Sequence, residues 1–200
     1  MTNIKTEGVF DVTLSGIIEK STTPLTRKEL FSKYKFNHDI LFETGTHKGE
    51  SVQTALELGF NKVLSVELLL SWYKQCCSLF EQEINDNKVY LYQGDSGKYM
   101  EEMLSHVDKP SLFWLDAHVD GKNGDPLWPE LEAIKNHHIK THTIIVDDIP
   151  LYFSGGAEVK NKILEINPKY QFITEDALNE GNGNTMSNWD LVAYLLPYND

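Results

Sequence analysis

Apolar residues in this chain fall into short blocks separated by polar, glycine-bearing turns. The blocks alternate between a strand-like run and a helix-like spacing. Ile40-Leu41-Phe42 is a brief apolar run ending in Glu43, and Ser51–Leu58 then places Val52, Ala55, Leu56 and Leu58 at helical intervals. The same alternation continues. Lys62–Glu67 reads as a strand, Leu70–Ile84 as one long helix, Val89–Tyr92 as a strand and Gly97–Val107 as a helix. Ser111–Leu115 is a strand ending at Asp116, Leu127–Asn136 a helix, Thr143–Val146 a strand ending at Asp147-Asp148, and Ala157–Ile166 a helix. Tyr170–Thr174 and Leu191–Leu196 close the series as two strands around the turn-rich Glu180–Asn184. Residues 1–38 are less periodic and read as a helical N-terminal extension, with one helix over Thr26–Lys35; residues 39–200 form the main domain.

Strand and helix alternating five times argue for an α/β fold, with a mostly parallel sheet and helices on both faces. Ligands in open sheets of this kind sit beyond the carboxyl ends of the strands. The residues there are Glu43, Glu67, Asp95, Asp116 and Asp147-Asp148, so each of the first five strands ends in an acid. The first turn, Glu43-Thr44-Gly45-Thr46-His47-Lys48-Gly49-Glu50-Ser51, lacks the glycine pattern of a dinucleotide fingerprint. A carboxylate at its start repels a pyrophosphate and attracts an ammonium group. Glu67, 18 residues after Gly49, is placed to accept from ribose hydroxyls. Asp95 and Ser96 could accept from an exocyclic adenine amine. Amine, ribose and adenine together describe S-adenosylmethionine.

Glu43-x-Gly45-x-x-x-Gly49, Glu67, Gly94-Asp95-Ser96 and Leu115-Asp116 resemble the ordered motifs of class I S-adenosylmethionine-dependent methyltransferases, over roughly residues 38–196. That resemblance implies a Rossmann-like seven-stranded sheet ordered 3-2-1-4-5-7-6 with the last strand antiparallel. It places the methionine end on Glu43, Thr44, Gly45, Thr46, Gly49 and Ser51, the ribose on Glu67 with Leu68 beside it, and the adenine on Asp95 and Ser96, with Asp116 also on the cofactor side. Asp116 with Asp147 and Asp148 further resembles the metal site of macrocin-type sugar O-methyltransferases, which implies Mg²⁺ held by those three acids. In that pattern an acid two residues after the first Asp is the base; this chain has His118 there, so His118 and Asp116 are the catalytic candidates. The competing reading makes Asp147 and Asp148 caps of the next segment.

Composition narrows the partners. With 18 basic and 30 acidic residues the formal charge is −12, and Arg27 is the single arginine, so a phosphate-tracking nucleic-acid surface is not expected. The acid excess also disfavours anionic lipid, and no apolar run approaches the roughly 20 residues of a membrane span. MTNIKTEGVF lacks the pattern of a secretory signal, which points to the cytoplasm. Cys76 and Cys77 are adjacent and unsuited to an ordinary disulfide. The 119–129 stretch, polar and glycine-bearing, reads as an acceptor-binding loop. The expected activity is therefore methyl transfer to a small hydroxylated acceptor such as a sugar. A non-catalytic methyltransferase-like binding module and an NAD-binding oxidoreductase remain as alternatives. A homodimer stays open.

Overall fold

The computed structural model describes residues 18–118 and 124–196. Its elements, in order, are α1 (Arg27–Tyr34), β1 (Ile40–Thr44), α2 (Glu50–Glu57), β2 (Lys62–Glu67), α3 (Leu70–Leu79), α4 (Glu81–Asn85), β3 (Val89–Gln93), α5 (Ser96–Leu104), β4 (Leu112–Leu115), α6 (Leu127–Asn136), β5 (Thr143–Val146), α7 (Ile149–Tyr152), α8 (Ala157–Ile166), β6 (Gln171–Leu178) and β7 (Thr185–Tyr194). The strands make one seven-stranded sheet in the order β3-β2-β1-β4-β5-β7-β6, as the resemblance implies. Strands β1 to β5 pair in parallel, and β7 lies antiparallel to both β5 and β6.

Parallel strands covered on both faces should be apolar throughout. β1, β4 and β5 are buried at every position. Alternate residues supply two cores. Phe42, Leu64, Phe113, Ile144 and Ala193 pack with α5, α6 and α8, whereas Leu41, Val63, Trp114, Ile145 and Val192 pack with α1, α2 and α3. The pleat thereby decides which rim each strand-end side chain joins.

The helix anticipated as an extension belongs to the second core. Thr26 and Glu29 form a capping box at the start of α1, and Phe31 and Tyr34 are fully buried beneath it. Glu175 of β6, also fully buried, accepts hydrogen bonds from Tyr34 Oη at 2.5 Å and Lys33 Nζ at 2.7 Å. Leu25 bridges the outer side of β6, with Leu25 N–H donating to Asp176 O and Leu178 N–H to Leu25 O, both at 2.8 Å. These contacts carry β6 through Glu175 and Asp176, polar residues at which the sequence reading ended the strand. The region expected as one helix over Leu70–Ile84 breaks at Phe80, whose ring turns inward against Gly49; a β-carbon there would lie 2.6 Å from it.

Candidate active site

The turn after β1 is held from three sides. Gly45 and Thr46 N–H groups donate to Val66 O at 2.9 and 3.1 Å. Gly45 has φ +86°, and a β-carbon would lie 2.5 Å from Asp116 O, so only glycine lets β1 and β4 close together at this end. Glu67 braces the turn from β2. Its Oε2 accepts from His47 N–H and its Oε1 from Leu69 N–H, both at 2.7 Å. Each oxygen retains a lone pair for a further donor.

Beside this turn lies a cleft of about 400 Å³ at the carboxyl ends of β1 to β4. Gly45, Glu67, Leu68, Asp95, Ser96 and Asp116 all line it, so six of the eleven residues expected to hold a cofactor converge on one hollow. Asp95 also caps α5, its Oδ1 accepting from Gly97 N–H at 3.0 Å. Leu68 and Leu69 line the lip and are 59% and 54% exposed, an apolar edge that folding alone leaves uncovered. Three carboxylates and no lysine or arginine line the cleft among the described residues.

The other expected cofactor residues sit behind that surface. Thr44, Thr46, Gly49 and Ser51 build the turn without lining the cleft. Glu43 is 1% exposed and corrects the expectation that it meets an ammonium group. Sheet register sets it between Ser65 and Trp114, and its Oε2 accepts from Ser65 Oγ at 2.6 Å while Ser65 Oγ meets Thr46 Oγ1 at 2.5 Å. Burial pushes the Glu43 carboxyl up to about 7, against the opposing pull of Ser65, Ser51 and Arg27.

Asp116, Asp147 and Asp148 interact electrostatically, but neither of the two clefts at this rim is lined by more than one of them. Burial and then Asp147, Asp148 and Glu43 hold the Asp116 carboxyl well above the usual carboxylate range. Asp116 faces the first cleft, whereas Asp147 lines a second one on the α1 side. Asp148 lines neither; its backbone is left-handed at φ +57°, it accepts from Trp189, and burial ahead of Asp147 lifts its carboxyl to about 6. Among the described residues no three metal-ligating side chains are arranged around a common point, so the triad expected to hold Mg²⁺ does not fit the ion.

His118 lines the first cleft. Its ring folds back so that Nε2 meets Leu115 O at 3.0 Å and Nδ1 meets Asp125 Oδ1 at 3.4 Å. The side chain is fully enclosed, with the Phe153 ring edge-on at 4.8 Å. The two contacts tie the His118 ring to Leu115 and Asp125. The loop expected to bind an acceptor, residues 119–129, falls partly outside the described residues, which resume at Gly124.

Two acids were missed by sequence reasoning. Glu130, an acid in the first turn of α6 that the helix dipole alone would explain, is fully buried, and neither carboxyl oxygen has a hydrogen-bond partner. Burial lifts it to about 7, with Ser96, His118 and Thr44 opposing the shift. Asp190 is 2% exposed inside β7. The only available signal was its place in an otherwise apolar run, since the β5–β7 register that sets it beside Asp147 is a tertiary fact.

No protein-family profile matches the chain, and no curated protein matches it in sequence. Solved structures do match in shape. An O-methyltransferase from Bacillus cereus in complex with S-adenosylhomocysteine (SAH) superposes with a TM-score of 0.59 at 14% identity, covering 90% of this chain and 85% of that one. The fold is that of the class I methyltransferases. The O-methyltransferase TomG from Streptomyces achromogenes, in complex with S-adenosylmethionine, gives 0.57 at 12% identity over 84% of this chain and 79% of its own. An SAH-bound methyltransferase from Podospora anserina gives 0.55 at 12% identity over 83% and 75%.

Proposed function

We propose that the chain is an S-adenosylmethionine-dependent methyltransferase that methylates a hydroxyl group of a small acceptor such as a sugar. The observation that carries this reading is the cleft beyond β1 to β4, lined by Glu67, Asp95 and Asp116 and, among the described residues, by no lysine or arginine. A ligand bearing a sulfonium and an ammonium group gains from such a lining, whereas a pyrophosphate meets repulsion and, among the described residues, no compensating lysine or arginine. Its volume lies within the range of about 300–1,000 Å³ usual for small-molecule sites.

S-Adenosylmethionine, when bound, supplies a methyl group on a positively charged sulfur. The chain's part is to hold that group and aim the acceptor at it. Glu67, anchored by two backbone N–H groups, offers its remaining lone pairs to ribose hydroxyls. Leu68 and Leu69 cover the apolar faces of the nucleoside, and Ser96 with Asp95 meets the base edge. Gly45 removes the side chain that would separate β1 from β4 and close the space. Asp116 is the carboxyl that lines this cleft while feeling the acids of its neighbour, so the acceptor hydroxyl is expected to arrive from that side.

Dinucleotide oxidoreductases are disfavoured by the same lining and by β7, which inserts antiparallel beside β5 where a doubly wound dinucleotide sheet continues in parallel. Titration calorimetry with SAH tests the reading. Micromolar binding that weakens at least ~10-fold in Glu67→Gln, as loss of a charged hydrogen-bond acceptor predicts, supports it; absence of heat with SAH overturns it. Retained SAH binding without turnover over a broad acceptor panel would favour a binding module.

A further inference from the structure

A second cleft, of about 250 Å³, opens on the α1 side of the sheet between the start of α1, the β6–β7 hairpin and the rim of β4 and β5. Among the described residues, four have buried side-chain polar atoms without a hydrogen-bond partner, and three of those residues line this cleft: Arg27 at Nε, Trp114 at Nε1 and Asp190 at Oδ1. Trp114 and Asp190 are 3% and 2% exposed, so neither can turn to bulk water for a partner. An orphaned buried polar group costs about 1–3 kcal/mol, and three around one hollow call for a ligand that satisfies them together.

The chemistry of the three atoms selects the ligand. Arg27 Nε–H and Trp114 Nε1–H only donate, so the occupant must present acceptors. The Asp190 oxygen accepts from a donor, and its carboxyl is already hydrogen-bonded to Asp147. An ammonium group would leave both N–H donors orphaned. A carboxylate or phosphate would satisfy them but lie among Glu50, Glu180, Asp147 and Asp190, which outnumber the Arg27 guanidinium. A hydroxyl both donates and accepts, and carries no charge. Trp189 on the wall adds an aromatic face suited to the C–H side of a ring.

We propose that this cleft is a second ligand site that takes a neutral polyhydroxylated molecule, gripped by Arg27, Trp114 and Asp190. Calling that molecule the methyl acceptor rests on the function proposed above; the site itself does not.

The four tryptophans, 72, 114, 128 and 189, give four indole N–H signals in a proton–nitrogen correlation spectrum of the full chain, assigned by Trp→Phe substitution. D-Glucose, D-ribose, myo-inositol, methylammonium and acetate are titrated in turn, with SAH as a separate arm. The expected result is a saturable shift of the Trp114 and Trp189 signals with at least one neutral polyol, little change at Trp72, and affinity weakened roughly 10-fold or more in Arg27→Lys and in Asp190→Asn. Each variant must retain the wild-type spectrum elsewhere; for one that does not, Trp114→Phe, which removes only the indole donor, replaces it as the affinity test. Shifts with acetate or methylammonium alone, shifts with no probe, or polyol affinity unchanged in the variants would overturn the proposal. Failure of the SAH arm alone would count against the methyl-transfer reading and leave the second site standing.

Discussion

Replacing Glu43 with Gln keeps the shape of the side chain and removes its capacity to ionise. In the native protein, burial moves this carboxyl from its ordinary 4.5 up to about 7. Because the folded value is the higher one, the folded state favours the protonated form. The associated stability is fully present below about pH 4.5 and is lost as pH rises through 7, because the unfolded chain gives up its proton first. The difference corresponds to about 3 kcal/mol at 1.36 kcal/mol for each pH unit. A glutamine pays no such penalty, and its amide can still meet the hydroxyl of Ser65, which accepts as readily as it donates. Glu43→Gln should therefore match the wild type near pH 4 and exceed it by about 3 kcal/mol above pH 7. Guanidinium unfolding of both proteins across that range, compared at each pH, isolates this group from the other buried acids. Equal stability at every pH, or a glutamine variant that loses ground as pH rises, would refute the burial argument. SAH affinity, measured alongside, should hold within a few-fold, since Glu43 does not line the cleft.

Gly45→Ala should destabilise the fold by at least about 1–2 kcal/mol from its left-handed backbone alone, and more because its β-carbon would press on Asp116 O; thermal unfolding and SAH calorimetry should both register the loss. Glu67→Gln retains one strong acceptor for two backbone N–H groups, so unfolding should be easier by about 1–3 kcal/mol and SAH binding weaker, in contrast to Glu43→Gln. His142, fully buried, is pushed down from 6.5 to about 3 by desolvation and then by His137 and His38. Its neutral form is the folded one, so stability present above pH 6.5 is lost as pH falls toward 3; His142→Asn, which can still accept from Ser111 N–H, should flatten that acid limb in a pH series of unfolding curves.

The sheet was legible because its strands are continuous apolar runs and its helices carry apolar residues at helical spacing, both local signals. Where local and tertiary signals disagreed, tertiary contacts prevailed. β6 runs on through Glu175 because Tyr34 and Lys33 of α1 satisfy that carboxylate from 141 and 142 positions away. The Leu70–Ile84 helix pattern breaks because Phe80 fills the space that Gly49 leaves beside the turn. Glu130 looked like an ordinary first-turn helix acid because nothing near it in sequence reveals that α5 and the end of β1 lie over it.

The chain by itself determined that acids would gather at one end of a parallel sheet, since each strand's last residue follows from its own hydrophobic run. It also determined the glycine turn after β1. Which acids face a hollow and which are sealed was decided only by the folded sheet. Pleat and register send Glu43 toward Ser65 and set Asp190 of β7 beside Asp147, while Glu67 and Asp116 open onto the cleft. Strand-end chemistry is a one-dimensional property; the side to which a side chain points, and the neighbour it meets there, depend on partners that can lie more than forty residues away in the chain.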